Sequence, residues 1–213
     1  TYVWTQPDGI YSAMNLGLTK LPTVDFIWFL NSGCMAHSMC TTTLDSISIL
    51  PFTIYCASVE CNDKYLLKYR KIPPVHFNYL APIQPVNHQG ILYSADIFQD
   101  FMYSYNVKYI ISGDFDLFLR LLINHVSITI IPCILTTGIN EDGISSVKPL
   151  LRTCEYITLI TQLLPIKPFL VFSYPFLFLD CITQFSKQVL LQHFPALLYK
   201  LTKFKRSLLR DIA

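Results

Sequence analysis

Charged side chains are scarce in this 213-residue chain. They make up 14% of its residues, against about 25% in an ordinary soluble domain, while apolar residues reach 52% and mean hydropathy is +0.41. This composition excludes a disordered chain, a coiled coil and a highly charged nucleic-acid-binding protein. The net charge of +2 is also too small for a general polyanion-binding surface. Either a membrane lies nearby, or a partner or further segment covers part of the apolar surface.

Cysteine spacings typical of metal sites are also missing. The seven cysteines form no CxxC pair and no Cys/His pair at zinc-finger spacing. Because their number is odd and they are scattered through apolar stretches, we expect reduced thiols in a cytosolic protein, most of them packed as small core side chains. The chain starts without an initiator Met or a charged leader before an apolar run. We therefore see no signal peptide, and expect the sequence to be part of a longer one.

Residues 1–147 alternate helix-like and strand-like patterns, which predicts an α/β domain. The predicted helices are 8–19, 91–103 and 114–124, and the predicted strands are 24–30, 48–57, 64–69 and 126–135. Asp8 is available as the N-cap of the first helix, and strands 48–57 and 64–69 are expected to be antiparallel. The almost continuously apolar run 24–30 is typical of a strand buried on both faces of a mostly parallel sheet. Residues 31–34 follow its carboxyl end, where ligand sites of open α/β sheets lie.

The remaining residues, 148–213, form a second region that is more apolar and ends in basic residues. Two runs, 156–164 and 169–179, are strongly apolar, but prolines interrupt the region. Crossing a bilayer takes about 20 apolar residues, and neither run alone is that long. A single span through 156–182 and a buried or interfacial element both stay open, and the second fits the prolines better.

The C-terminal residues 187–213 combine an apolar stripe with a cluster of cations. Apolar residues recur every three or four positions from Leu190 to Leu208, and Pro195 favours a helix that begins there. A basic amphipathic helix is typical of the surface of an anionic leaflet. We therefore predict contact with a membrane surface through 187–213. The alternative is a helix packed on the domain with its cationic face in water.

Four short motifs then follow one another along the first region. They are QPDGIYSAMNLG at 6–17, FLNSG at 29–33, HQG at 88–90 together with SGDFDLFLR at 112–120, and GISS at 143–146. In this order and at these spacings they resemble the family 2 glycosyltransferases, especially small bacterial-type enzymes of exopolysaccharide and colanic-acid assembly. The resemblance covers roughly residues 4–146.

The resemblance implies the GT-A fold, a Rossmann-like α/β fold with a mixed sheet. In the family, strand–helix–strand units that hold the nucleotide base precede the first motif, so we expect this domain to be N-terminally incomplete and to be followed by a helical tail. The implied reaction is inverting transfer of a sugar from a nucleotide-sugar to a saccharide acceptor, which we expect to be lipid-linked. We expect a cytoplasmic enzyme peripheral to the membrane, without a nucleic-acid partner.

The resemblance also assigns roles to individual residues. Asp114 matches the family's general base, with Asp116 as second choice; without the resemblance they would be a helix N-cap and a first-turn acid. The implied donor- and acceptor-binding residues are Asp8, Gly9, Asn15, Asn31, Ser32, Gly33, His88 and Gln89.

The resemblance also implies a divalent cation, Mg²⁺ or Mn²⁺, but the residues at the family's metal motif are unusual in this sequence. Cys34 stands where the family has the last aspartate of its metal motif, and Asn31 and Gly33 replace the other carboxylate positions. Ser12 likewise replaces an aspartate of the first motif. Because these cations prefer hard oxygen ligands, a thiolate at Cys34 is a poor substitute. Two alternatives to the enzyme therefore stay open: a catalytically impaired binding or assembly module, and a small membrane protein with accidental motif matches.

Overall fold

The computed structural model describes residues 8–38, 40–62, 68–74, 86–99, 103–140, 148–165 and 168–194. The helices are α1 (Ile10–Leu18), α2 (Cys40–Ser46), α3 (Gly113–Ile123), α4 (Pro149–Leu163) and α5 (Tyr174–His193). The strands are β1 (Phe26–Trp28), β2 (Met35–Ala36), β3 (Thr53–Asn62), β4 (Lys68–Lys71), β5 (Ile91–Ser94) and β6 (Ser127–Asn140). Three 3₁₀ helices cover His88–Gly90, Ala95–Phe98 and Pro168–Ser173. The motif at 143–146 and the basic residues after 194 lie outside the described residues.

The six strands form one curled mixed sheet, a half-barrel, so the fold is mixed α/β with C-terminal helices. The strand order is β1-β5-β3-β6-β2, and β4 pairs with the second half of β3. Only β3 and β6 run parallel; the other described pairs are antiparallel. The register of the parallel pair shifts between Cys56 and Cys61. Such irregularities bend and twist a strand, which accounts for the curl of the sheet.

The strand predicted at 24–30 is shorter and less buried than expected. β1 pairs antiparallel with β5, and only its middle residue, Ile27, is buried. In the part of the chain that the structure describes, β5 is its only ladder partner. The expectation of a strand buried in a mostly parallel sheet is therefore wrong: β1 lies at one end of the sheet, where a strand has one neighbour instead of two.

The helix predicted at 91–103 is also wrong. Residues Ile91–Ser94 form strand β5, all four of them buried, and Ala95–Phe98 form a 3₁₀ helix. β5 pairs with β1 on one side and with β3 on the other. Two ladders and complete burial outweigh a local apolar spacing that also suits a helix.

Other predicted elements are confirmed with small shifts in their ends. The segments 8–19 and 114–124 form α1 and α3, and 126–135 lies in β6. β3 and β4 are antiparallel, as predicted, although β3 begins only at Thr53 and continues to Asn62. Residues 64–67 of the second predicted strand lie outside the described residues, and β4 covers Lys68–Lys71. α3 is buried on nearly all sides, which makes it the central helix of the first region.

The chain divides into two compact units, Thr1–Ile144 and Ser145–Ala213. In the second unit, α4 packs on α5 and on the 3₁₀ helix Pro168–Ser173. An ion pair between Arg152 and Asp180 joins the two helices. The apolar runs 156–164 and 169–179 thus lie in helical segments of this unit. Among the described residues, no helix has the combination of length and apolar character needed to cross a bilayer.

Candidate active site around Asp114

Asp114 lies in the first turn of α3, which begins at Gly113. Its side chain is 16% exposed, so it is mostly enclosed but still reachable. Oδ1 accepts a hydrogen bond from the backbone N–H of Phe115 at 2.9 Å and lies 3.3 Å from the Tyr11 hydroxyl. The N–H groups at a helix start stabilise a carboxylate. These contacts fix one oxygen of Asp114 and leave the other turned to a different neighbour.

Tyr11, on α1, contacts this carboxylate and is itself held in place by two other groups. Its hydroxyl donates to the Ile111 carbonyl at 2.6 Å, and its ring stacks on Tyr105 with centroids 5.4 Å apart. A Cβ at position 113 would lie 2.7 Å from the Tyr11 ring, so only glycine allows the ring this close. Burial raises the pKa of Tyr11, which keeps its hydroxyl a donor. Sequence reasoning missed Tyr11, although it stands inside the first motif.

His88 contacts the second oxygen of Asp114. Its Nδ1 lies 3.3 Å from Asp114 Oδ2, and its Nε2 lies 3.0 Å from Asn31 Nδ2. Because an amide nitrogen is a donor, Asn31 donates to Nε2, and the imidazole hydrogen is then on Nδ1, facing the carboxylate. The four residues Tyr11, Asn31, His88 and Asp114, here called the Asp114 cluster, thus form one connected polar group.

The segment that carries His88 is held firmly on the sheet. The backbone carbonyl of Gln89 accepts hydrogen bonds from Trp28 Nε1 at 2.9 Å and from Thr136 Oγ1 at 2.5 Å. A Cβ at Gly90 would lie 2.7 Å from the Ala57 carbonyl oxygen, so glycine is required for this approach to β3. Gln89 Oε1 is buried and has no hydrogen-bond partner among the described residues. The backbone of Gln89 thus fixes the segment that carries His88 on the sheet.

Asn31 belongs to a tight turn that ends at Cys34. The backbone N–H of Cys34 donates to the Asn31 carbonyl at 3.1 Å, and Gly33 has a φ of +84°. A positive φ at the third position of a β-turn favours glycine. Ser32 and Gly33 are exposed, whereas Asn31 is half-buried and points into the Asp114 cluster. The glycine therefore shapes the turn that presents Asn31.

The residues of this turn do not fit Mg²⁺ or Mn²⁺. Asn31, Ser32 and Cys34 offer an amide, a hydroxyl and a thiol, but no carboxylate. Burial raises the pKa of the Cys34 thiol, with a smaller opposing effect from a hydrogen bond to Gln89, so it stays S–H rather than thiolate at neutral pH. Across the described part of the chain, no three His, Cys, Asp or Glu side chains gather as a metal site would require.

Asp116, the second choice for the base, turns away from the cluster. Its Oδ2 accepts a hydrogen bond from Arg120 Nε at 2.9 Å, and Arg120 Nη2 donates to the Ser104 carbonyl at 2.6 Å. Burial raises the pKa of the Asp116 carboxyl, and the Arg120 guanidinium partly offsets this. The contacts give Asp116 a role in fastening α3 to the preceding segment.

The predicted site residues on α1 separate into different roles. The Asn15 amide pairs with both backbone groups of Tyr105, at 2.8 Å each, and so fastens α1 to the segment before α3. Asp8 is exposed, and the predicted N-cap role is wrong: Gly9 is the N-cap residue and no side chain caps the helix. The φ of +84° at Gly9 explains why glycine stands there.

An enclosed carboxylate beside an imidazole can take a proton from a bound hydroxyl group. No protein-family model matches the chain, and no curated protein matches it in sequence. The Asp114 cluster is therefore the observation on which a functional proposal has to rest.

Proposed function

We propose that the first unit is a GT-A domain of an inverting glycosyltransferase, and that it transfers a sugar from a nucleotide-sugar to a saccharide acceptor. One observation carries the proposal. Tyr11, Asn31, His88 and Asp114 come from three separate motifs, yet they meet around one carboxylate. These are three of the four motifs that resemble family 2 glycosyltransferases.

The proposed chemistry uses Asp114 as general base. An acceptor hydroxyl gives its proton to the carboxylate while its oxygen attacks the anomeric carbon of the donor sugar. The bond from that carbon to the diphosphate breaks, its electron pair leaves with the diphosphate, and the configuration inverts. His88 is a positioning residue, since its Nδ1 faces Asp114 Oδ2. A well-placed general base contributes roughly 10²- to 10⁴-fold to the rate.

The acceptor is part of the proposal as well. A lipid-linked saccharide at the cytoplasmic leaflet suits a chain whose residues 187–213 carry six cations and one carboxylate. We assign no role in the reaction to a divalent cation, because the turn 31–34 offers no carboxylate to hold one.

The test is a pair of matched substitutions in the full chain. Release of nucleoside diphosphate is followed for a panel of nucleotide-sugars and saccharide acceptors, and donor binding is followed separately by saturation-transfer NMR. We expect Asp114→Asn to lower turnover by at least about 100-fold with donor binding retained. Asp116→Asn, two residues along the same helix, should keep most of the turnover. Turnover that survives Asp114→Asn, or the absence of any donor binding, contradicts the proposal.

A catalytically impaired binding or assembly module is the second candidate, and the turn 31–34 favours it. Cys34 is a protonated thiol where the resembling enzymes carry a carboxylate. The test is Cys34→Asp, with Mn²⁺ binding measured by electron paramagnetic resonance and Cys34→Ser as the control. Donor binding without turnover in the natural chain, together with Mn²⁺ binding and turnover gained only by Cys34→Asp, would establish this candidate over the enzyme.

A further inference from the structure

We propose that α5 binds the surface of an anionic lipid bilayer through its outer apolar face, defined as Phe178, Ile182, Phe185 and Val189. The spacings of four, three and four residues place these side chains in one row along the helix. They are 67%, 46%, 53% and 38% exposed, respectively. α5 thus presents a continuous apolar row to its surroundings.

The other side of α5 is already occupied within its own unit. Leu177 is 1% exposed, and Asp180 is paired with Arg152 of α4. The contacts that α5 makes within its unit therefore leave the outer row largely uncovered. A row of large apolar side chains along one helix face normally packs against something.

Further large apolar side chains are exposed in the same part of the sequence. Phe172 and Phe176, in and just after the 3₁₀ helix, are both more than half exposed, as is Leu179. Single exposed apolar residues are ordinary, but a row of four along one helix face marks a surface that binds something. Phenylalanine is also typical of the apolar side of helices that lie in the boundary between lipid headgroups and acyl chains.

The charge of the sequence that carries and follows this face selects the occupant. Residues 181–213 hold six Lys or Arg and one Asp, a net charge of +5; since the whole chain has +2, residues 1–180 have −3. Lys187 lies on α5 itself, and the remaining cations follow it in sequence. An anionic bilayer supplies both an apolar layer and negative headgroups. A second copy of the chain would instead add another segment of +5 and no net negative charge to balance it.

The proposal is tested by flotation of the full chain with vesicles. Pure phosphatidylcholine vesicles are compared with vesicles that contain roughly one-third phosphatidylserine. We expect binding to the anionic vesicles, and a loss of at least about tenfold in affinity for the double variant Phe178→Ser with Phe185→Ser. The matched control, Ile72→Ser with Val107→Ser, removes two equally exposed apolar side chains from the first unit and should bind like the natural chain.

A second measurement tests directly whether α5 contacts the lipid. The variant Phe178→Trp should lose fluorescence with brominated lipids, more strongly than the natural chain with its two tryptophans. Circular dichroism checks that each variant is folded. The proposal is overturned if anionic vesicles are not bound, if binding survives the double variant, or if neutral vesicles bind equally well. A concentration-dependent dimer that the double variant abolishes, without vesicle binding, would assign the face to a second copy.

Discussion

The two units of this chain differ in which side chains they enclose and which they leave exposed. In the first unit, polar side chains from distant segments meet in a largely enclosed cluster around Asp114. In the second unit, large apolar side chains remain outside, on α5. Enclosed polar groups and exposed apolar groups both cost stability unless something compensates. In the first unit the polar groups compensate one another by hydrogen bonds, whereas the apolar row of α5 is left exposed.

The largest expected effect concerns the backbone that carries His88. Gly90→Ala would place a methyl group 2.7 Å from a carbonyl oxygen of β3, and we expect it to lower the free energy of unfolding by about 3 kcal/mol. The measurement is urea unfolding followed by tryptophan fluorescence, because Trp4 and Trp28 both belong to the first unit.

Gly17→Ala is the matched control for that substitution. Gly17 lies in α1, and a Cβ there meets nothing within 4 Å. Alanine in an open helical position should stabilise the first unit by up to about 1 kcal/mol. Equal losses from the two alanines would show that close packing of the His88 segment is not what holds the site.

In the second unit, the largest loss of stability is expected from removing the ion pair between α4 and α5. Asp180→Asn removes the charge that Arg152 of α4 meets, and both side chains are about 85% buried. We expect a loss of about 2 kcal/mol, because a guanidinium is left enclosed without its counter-charge. The measurement is thermal unfolding of helix by circular dichroism. Thr183→Ala, at an exposed position on the same helix, is the control and should change stability by less than about 0.5 kcal/mol.

Sequence patterns predicted the elements of the first unit better than their arrangement. α3 was predictable because Phe115, Phe118 and Leu122 recur at helical spacing. β5 was not, because Ile91–Ser94 becomes a strand through pairing with β1 and β3, and that pairing joins residues 35 to 68 positions apart. Local spacing contains no information on such partners.

The candidate site divides in the same way. The motifs indicated Asn31, His88 and Asp114 one by one, but the hydrogen bonds among them depend on the sheet. Tyr11 escaped prediction because its role rests on Gly113, a hundred residues away, leaving room for its ring. Asn15 was predicted as a donor-binding residue, and a pattern alone could not reveal that its amide is taken up by Tyr105.

A smaller loss of stability is expected when an enclosed tyrosine hydroxyl is removed, and almost none when an exposed one is removed. Tyr11→Phe keeps the ring and removes the hydroxyl that donates to the Ile111 carbonyl. We expect the first unit to lose about 1 kcal/mol of stability in urea unfolding. Tyr174→Phe is the control in the second unit, since the Tyr174 hydroxyl meets Thr161 at an exposed position. A loss as large for Tyr174→Phe as for Tyr11→Phe would contradict the distinction between the units.

The smallest expected effect is a change of stability with pH that comes from a buried thiol in the core of the first unit. Burial raises the pKa of Cys56, on β3, to about 12, whereas an unfolded chain ionises such a thiol near pH 8.5. As pH rises past the unfolded value, only the unfolded state loses this proton, so stability falls until the folded pKa is reached. Between about pH 8 and pH 9 we expect the natural chain to lose about 0.7 kcal/mol more than Cys56→Ala. Cys154→Ala, which removes an exposed thiol of the second unit, is the matched substitution for comparison. Parallel curves for Cys56→Ala and the natural chain would mean that this thiol ionises as easily in the folded core as in water.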